Sequence, residues 1–172
     1  MKIKLFCIVF IVSLVSLSAQ ETDYPGAARD WKTFPWSLGA GIEYGQNTRE
    51  NYAVGYSVAI DRYLDNPYTA LGIRGTMYND YNTVTASEAE LLFRLYFFDL
   101  NNGAFFAQLG FGAAFYREDD RQINTYIMDC TAGYRYYVQT GFFQGLYFEP
   151  FLRTGYPFEW GFGLFVGHWF NF

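Results

Sequence analysis

Trp160-Gly161-Phe162-Gly163-Leu164-Phe165-Val166-Gly167-His168-Trp169-Phe170-Asn171-Phe172 ends the chain. Counted back by twos from Phe172, one face carries Phe172, Phe170, His168, Val166, Leu164, Phe162 and Trp160. It is apolar with a single interruption, and it runs to the last residue. A period of two is the period of a β-strand.

The same alternation recurs upstream. Trp36–Tyr44 sets Trp36, Leu38, Ala40, Ile42 and Tyr44 against Ser37, Gly39, Gly41 and Glu43. Tyr52–Tyr63 sets Tyr52, Val54, Tyr56, Val58 and Ile60 against Ala53, Gly55, Ser57, Ala59 and Asp61. Further segments run over about Tyr68–Tyr78, Thr85–Phe98, Ala104–Tyr116, Thr125–Val138 and Leu146–Tyr156. With the C-terminal run this makes eight strands, most near the 9–11 residues that a tilted strand needs to cross a bilayer. Leu64–Pro67, Asp99–Gly103 and Gln139–Gly145 read as turns at one end. Gly45–Asn51, Asn79–Val84, Arg117–Asn124 and Pro157–Glu159 read as short loops at the other.

Composition agrees. The 172 residues include 19 Phe, 16 Tyr and 4 Trp, and only 17% are charged. Lysine occurs at positions 2, 4 and 32 and nowhere in the following 140 residues. A water-facing surface without lysine over that length is improbable. A soluble lipocalin-type barrel would turn the large apolar faces inward and leave Gly, Ala and Ser to meet water. The aromatic content also excludes disorder.

Residues 1–19 read as a signal peptide. Lys2 and Lys4 precede an apolar run from Leu5 to Leu17, and Leu17-Ser18-Ala19 supplies a small residue for cleavage before Gln20. The run is short for a membrane-spanning helix. Its removal takes the net charge from −5 to −7, because Lys2 and Lys4 leave. That acidity gives no support for nucleic-acid binding. Cys130 is then the one remaining cysteine, so no internal disulfide can form. Residues 20–34 read as a periplasmic N-terminal tail and 35–172 as the barrel.

Together these features resemble a small bacterial outer-membrane β-barrel of OmpA, OmpX or OmpW type. The fold expected is all-β: an eight-stranded antiparallel up-and-down transmembrane barrel. The segment Glu149–Pro157 is similar in flavour to spirochaete outer-membrane barrels. The resemblance implies export to the outer membrane of a diderm bacterium, and a C-terminal assembly signal in Leu164, Val166, Phe170 and Phe172. It implies contact with outer-membrane lipids and the barrel-assembly machinery, and a monomer. A structural, non-catalytic role is expected. The alternative is a narrow pore, or an OmpW-like transporter of ions or small hydrophobic solutes.

The inward positions carry Asp61, Arg74, Glu88, Glu90, Arg94, Asp129, Arg135, Glu149 and Arg153. Strand direction puts Arg74, Glu88, Glu90, Asp129 and Arg153 nearer the outer loops. Asp61, Arg94, Arg135 and Glu149 fall nearer the periplasm, and each layer is close to charge balance. Hairpin register sets Arg74 opposite Glu88 or Glu90, Arg135 opposite Glu149, and Arg153 diagonal to Asp129. Arginine suits the role because its fork binds carboxylates bidentately. Pro150 threatens this register, since proline removes a ladder donor. Arg62 falls on the lipid face, close enough to a turn to snorkel to the interface.

No catalytic constellation is evident. His168 is the single histidine and lies on the lipid face without a serine at an adjacent outer position. One His and one Cys make no metal cluster. The Gly39/Gly41, Gly110/Gly112 and Gly161/Gly163 pairs sit mid-strand with no helix to follow, so they are not phosphate loops. No enzyme activity, cofactor or metal is expected. Trp36, Tyr52, Tyr136, Tyr156 and Trp160 fit two interfacial girdles.

Overall fold

The computed structural model describes residues 35–170 apart from 48–51, 65, 67, 81–84, 101, 119–120, 139–140 and 157. The expected signal peptide and tail, and Phe172 of the C-terminal set, lie outside the described residues. Eight strands follow in order: β1 (Trp36–Asn47), β2 (Tyr52–Tyr63), β3 (Thr69–Asp80), β4 (Thr85–Leu100), β5 (Gly103–Glu118), β6 (Arg121–Tyr137), β7 (Leu146–Tyr156) and β8 (Phe158–Phe170). Each pairs antiparallel with its sequence neighbours, and β1 pairs with β8, so the sheet is a closed barrel. Closure leaves no strand edge unpaired. We call the end where β1 begins and β8 finishes the near end, and the other the far end.

Alternation decides which way each strand faces. Leu38, Ile42, Val58, Ile73, Met77, Leu91 and Leu152 are exposed on the outside, whereas Ser37, Glu43, Ser57, Asp61, Thr76 and Thr131 are buried inside. The apolar faces therefore point out, opposite to a soluble barrel. Arg62 also points outward, and its guanidinium lies 5.3 Å from the centroid of the Trp36 ring, its register partner at the near end. Such stacking suits a charge held beside an aromatic belt.

The strands outrun the alternating pattern. Arg117–Asn124, expected as a loop, is mostly ladder: Arg117 pairs with Gln122 and Glu118 with Arg121. Gly45–Asn47, Asn79–Asp80 and Phe158–Glu159 are likewise strand rather than loop. Backbone pairing needs no apolar partner, so it persists beyond the rim where both faces meet solvent. Gln122, Ile123 and Asn124 are exposed in succession there.

Pro150 causes no register shift. The β6–β7 pairing omits Tyr134 and Arg135 against Glu149 and Pro150, but Gly133↔Phe151 and Tyr136↔Phe148 bracket the gap in one register. Pro150 points outward, so the missing N–H interrupts the ladder without turning Glu149 or Arg153 off the inner face.

Aromatic residues fill much of the near half of the lumen, which alternation alone would leave to polar groups. Tyr63, Tyr96, Phe106, Tyr137, Tyr147, Phe151 and Phe165 form one buried cluster with Ala59, Ala70 and Ala104, and Trp169 packs against it. Glycines on the facing strands make the room. A Cβ on Gly39 or Gly167 would overlap the Tyr147 hydroxyl end. Gly167→Val should therefore overpack the lumen and lower the urea midpoint of the detergent-folded barrel by the equivalent of about 1–3 kcal/mol. Gly75→Ala has only the Glu88 carbonyl nearby, at 3.9 Å. It should leave the midpoint unchanged.

Candidate functional site

The described residues offer one concentration of chemistry, the charged interior. All nine of the charged positions expected to face inward are buried there. They separate into two layers by height along the strands.

The near layer is a closed ring of alternating charge. Arg94 Nη1 lies 3.2 Å from Asp61 Oδ2 and 2.9 Å from Glu149 Oε2. Arg135 Nη2 lies 2.9 Å from the same Asp61 oxygen, and Arg135 Nε donates to the same Glu149 oxygen. Two arginines and two carboxylates thus make a neutral square. Arg135 comes from β6 and Asp61 from β2, on opposite sides of an eight-stranded circle, so their bond spans the lumen. Gln108 Oε1 accepts from Arg94 Nε at 2.9 Å and from Nη2 at 2.5 Å. Ser37 Oγ accepts from Arg135 Nη1 at 3.2 Å and donates to Asp61 at 3.3 Å.

Aromatic rings floor this ring of charge. Arg135 sits 4.1 Å above the Tyr147 ring and Arg94 4.5 Å from Phe106. Below them Tyr63 and Tyr137 join hydroxyls at 2.8 Å, and Tyr137 stacks on Trp169 with centroids 4.8 Å apart. The guanidinium planes are thus held by hydrogen bonds at their edges and by π faces above or below.

The far layer is a hub. Arg153 Nη2 lies 3.0 Å from Glu88, 2.8 Å from Glu90 and 2.9 Å from Asp129, and its Nη1 lies 3.0 Å from Glu43. Arg74 Nε meets its register partner Glu90 at 2.5 Å, and Arg74 Nη2 meets Asp129 at 3.2 Å. Glu88 is set opposite Thr76 instead, and so reaches Arg153 across the lumen. Tyr78 donates to Glu43 and accepts from Arg153.

Glu43 is the residue that the charge inventory omitted. Its inward position on β1 was legible, yet its ion-pair partner is on neither flanking strand. It reaches Arg153 on β7, two strands away, and no hairpin register reports such a pair. Its presence corrects the expected charge balance. The near layer is neutral, but the far layer sets four carboxyl groups against two guanidiniums. One oxygen each of Glu43 and Glu88 is buried without a hydrogen-bond partner.

The other candidates stay apart from this interior. His168 is exposed on the outer wall beside Gly145 at the near end. Cys130 is half-buried on the outer wall. Among the described residues no group of three or more His, Cys, Asp or Glu could hold a metal ion. Leu164, Val166 and Phe170 of the C-terminal set lie on the outward face of β8, with Leu164 and Val166 exposed.

Removing the Arg153 charge would take the guanidinium partner from Glu43 and Glu88 and leave Arg74 to hold Glu90 and Asp129. Arg153→Met should therefore destabilise the folded barrel by about 3–5 kcal/mol, the usual result of breaking a buried pair from one side. Arg135→Ala should lower the urea midpoint in detergent through the same effect on Asp61 and Glu149. Arg62→Ala, on the exposed rim, should not.

No protein-family model matches the chain, and no curated protein matches it by sequence. Solved structures do match. The N-terminal β-barrel domain of OprF from Pseudomonas aeruginosa aligns over 78% of this chain and 97% of its own, with a TM-score of 0.56 at 18% identity. Neisserial surface protein A (NspA) aligns over 80% and 96%, with a TM-score of 0.55 at 10% identity. A de novo designed transmembrane β-barrel aligns over 77% and 94%, with a TM-score of 0.53 at 14% identity. A natural domain and a designed one match almost equally well, so the likeness is one of architecture. The chain has the fold of these barrels: eight antiparallel strands, closed between the first and the last.

Proposed function

We propose that the protein is an integral barrel of a bacterial outer membrane with a structural, non-catalytic role and an interior closed to solutes. The observation that carries this reading is the set of ion pairs that cross the lumen: Arg135 to Asp61, Arg94 to Glu149, and Arg153 to Glu88 and Glu90. An eight-stranded barrel is just wide enough for side chains to fill. Here they fill it with bonds that would have to break to admit even a small ion. The exposed apolar wall supports lipid as the surrounding medium, because a soluble monomer rarely leaves so large an apolar surface bare.

In this reading residues 1–19 direct export, and the near end faces the periplasm. Leu164, Val166, Phe170 and Phe172 present the last strand to the barrel-assembly machinery. The protein works as a monomer surrounded by outer-membrane lipid and needs no cofactor or nucleic acid.

Two measurements test it. After membrane fractionation the protein should appear in the outer-membrane fraction and migrate faster unheated than boiled; a fully soluble periplasmic product would refute the membrane reading. In planar bilayers the folded barrel should give no single-channel steps. Steps, above all cation-selective ones drawn by the acid-rich far layer, would overturn the closed interior.

A further inference from the structure

The connection between β6 and β7 carries Phe142, 96% exposed, and Phe143, 59% exposed. Phe142 is the most exposed of the large hydrophobic residues among those described. The two rings meet edge-on with centroids 5.3 Å apart, so they form one apolar tip. The tip is built on a fixed frame. Gln144 N donates to Gly141 O at 3.1 Å, Leu146 N to Phe143 O at 3.1 Å, and Gly145 N to Val138 O at 3.0 Å. Trp169 N donates to Gly145 O at 3.1 Å, tying the turn to β8. Gly141 and Gly145 take φ of 86° and 89°, which glycine alone adopts at little cost. A side chain on Gly145 would also run into His168 and Trp169, 2.7 Å from each.

Where this tip sits follows from strand length. β7 has 11 residues, the shortest strand of the barrel and within the roughly 9–11 that a tilted strand needs to cross a bilayer. Phe143 stands three residues before it. The outward Phe148 and Tyr136 at the ends of β7 and β6 continue the apolar wall toward the tip. Residues 139–146 contain no charged side chain. The β2–β3 connection at the same end is different: Asn66 Oδ1 accepts from Tyr68 N, Thr69 N and Thr69 Oγ1 at 2.9–3.0 Å, a polar turn suited to water.

We infer that Phe142 and Phe143 form a membrane anchor, inserted at the boundary between headgroups and acyl chains of the periplasmic leaflet, with phospholipid as its partner. Two adjacent phenylalanines on an uncharged, hydrogen-bonded turn gain from leaving water and lose little conformational freedom in doing so. The wall that already meets lipid simply continues through them. This inference rests on the membrane reading above.

The test places an environment-sensitive nitrobenzoxadiazole dye on Phe142→Cys or Phe143→Cys in a Cys130→Ala background. Each barrel is refolded into phosphatidylcholine vesicles, with folding checked by heat-modifiable migration. Phe148→Cys, on the lipid wall, and Asn124→Cys, on the far hairpin, serve as references. Anchoring predicts blue-shifted emission at 142 and 143, quenched more by a headgroup spin label than by one at the chain end, with little quenching by iodide. Emission and iodide quenching like those at 124, with 148 still lipid-quenched, would overturn the anchor and leave the tip free for a soluble partner. Protection that disappears on dilution with lipid would assign the tip to a second copy and also overturn it. Loss of lipid quenching at 148 as well would sink the membrane reading itself. The unlabelled Phe142→Ser/Phe143→Ser barrel provides a second measurement. Its urea midpoint should fall in vesicles and stay unchanged in detergent micelles, and equal midpoints in vesicles would count against the anchor.

Discussion

Closure of the hydrogen-bonded ladder between β1 and β8 is the constraint on which the rest of the molecule depends. Trp36 to Gly45 pair residue by residue with Gly161 to Phe170, and the single irregularity comes only at Gln46/Asn47. Backbone N–H and C=O groups in an apolar medium must find partners within the chain, and a closed sheet pairs its strands without an edge. Closing with eight strands then dictates the lumen. It is just wide enough for the inward side chains of the strands to fill. The charges inside are therefore buried by geometry, and burial makes pairing obligatory.

The two interior layers solve that requirement differently. In the near layer two carboxylate oxygens each serve two arginines, and the four groups come from β2, β4, β6 and β7. The bonds tie the far sides of the circle together and cancel charge within one plane. In the far layer one arginine gathers four carboxyls, which leaves formal negative charge in excess. Arginine can be shared this way because its fork presents several N–H groups in fixed directions. Lysine, a point charge on a flexible stem, offers no comparable frame, and none is present in the described residues.

The aromatic residues serve three places rather than one. Outside, Tyr44, Tyr52, Trp160 and Phe162 pack into a belt near the far end, with Tyr44 stacked on Tyr52 at 5.6 Å. Inside, tyrosines and phenylalanines floor the charged ring and rest over glycines of neighbouring strands. At the β6–β7 turn a third set faces outward from the rim. One composition thus supports a wall, a plug and a tip, and position along the alternating pattern decides which.

Alternation in the sequence was enough to determine the strand number, the facing of each strand and the inward set from Asp61 to Arg153, because the side-chain period of a strand is fixed at two. Local hairpin register was enough for Arg135 against Glu149, and it narrowed Arg74 to two partners. Only the tertiary structure decided that Glu90 is the register partner, that Pro150 spares the register, and that Glu43 joins the far layer. It also decided that Tyr63, Tyr137 and Tyr147 fill the near half of the lumen. Glu43 to Arg153 and Tyr63 to Tyr137 join strands separated by two or more positions around the circle, and their distances depend on closure, tilt and the space left by glycines. Local periodicity carries none of that information, because a pattern along one strand cannot report what lies across the barrel.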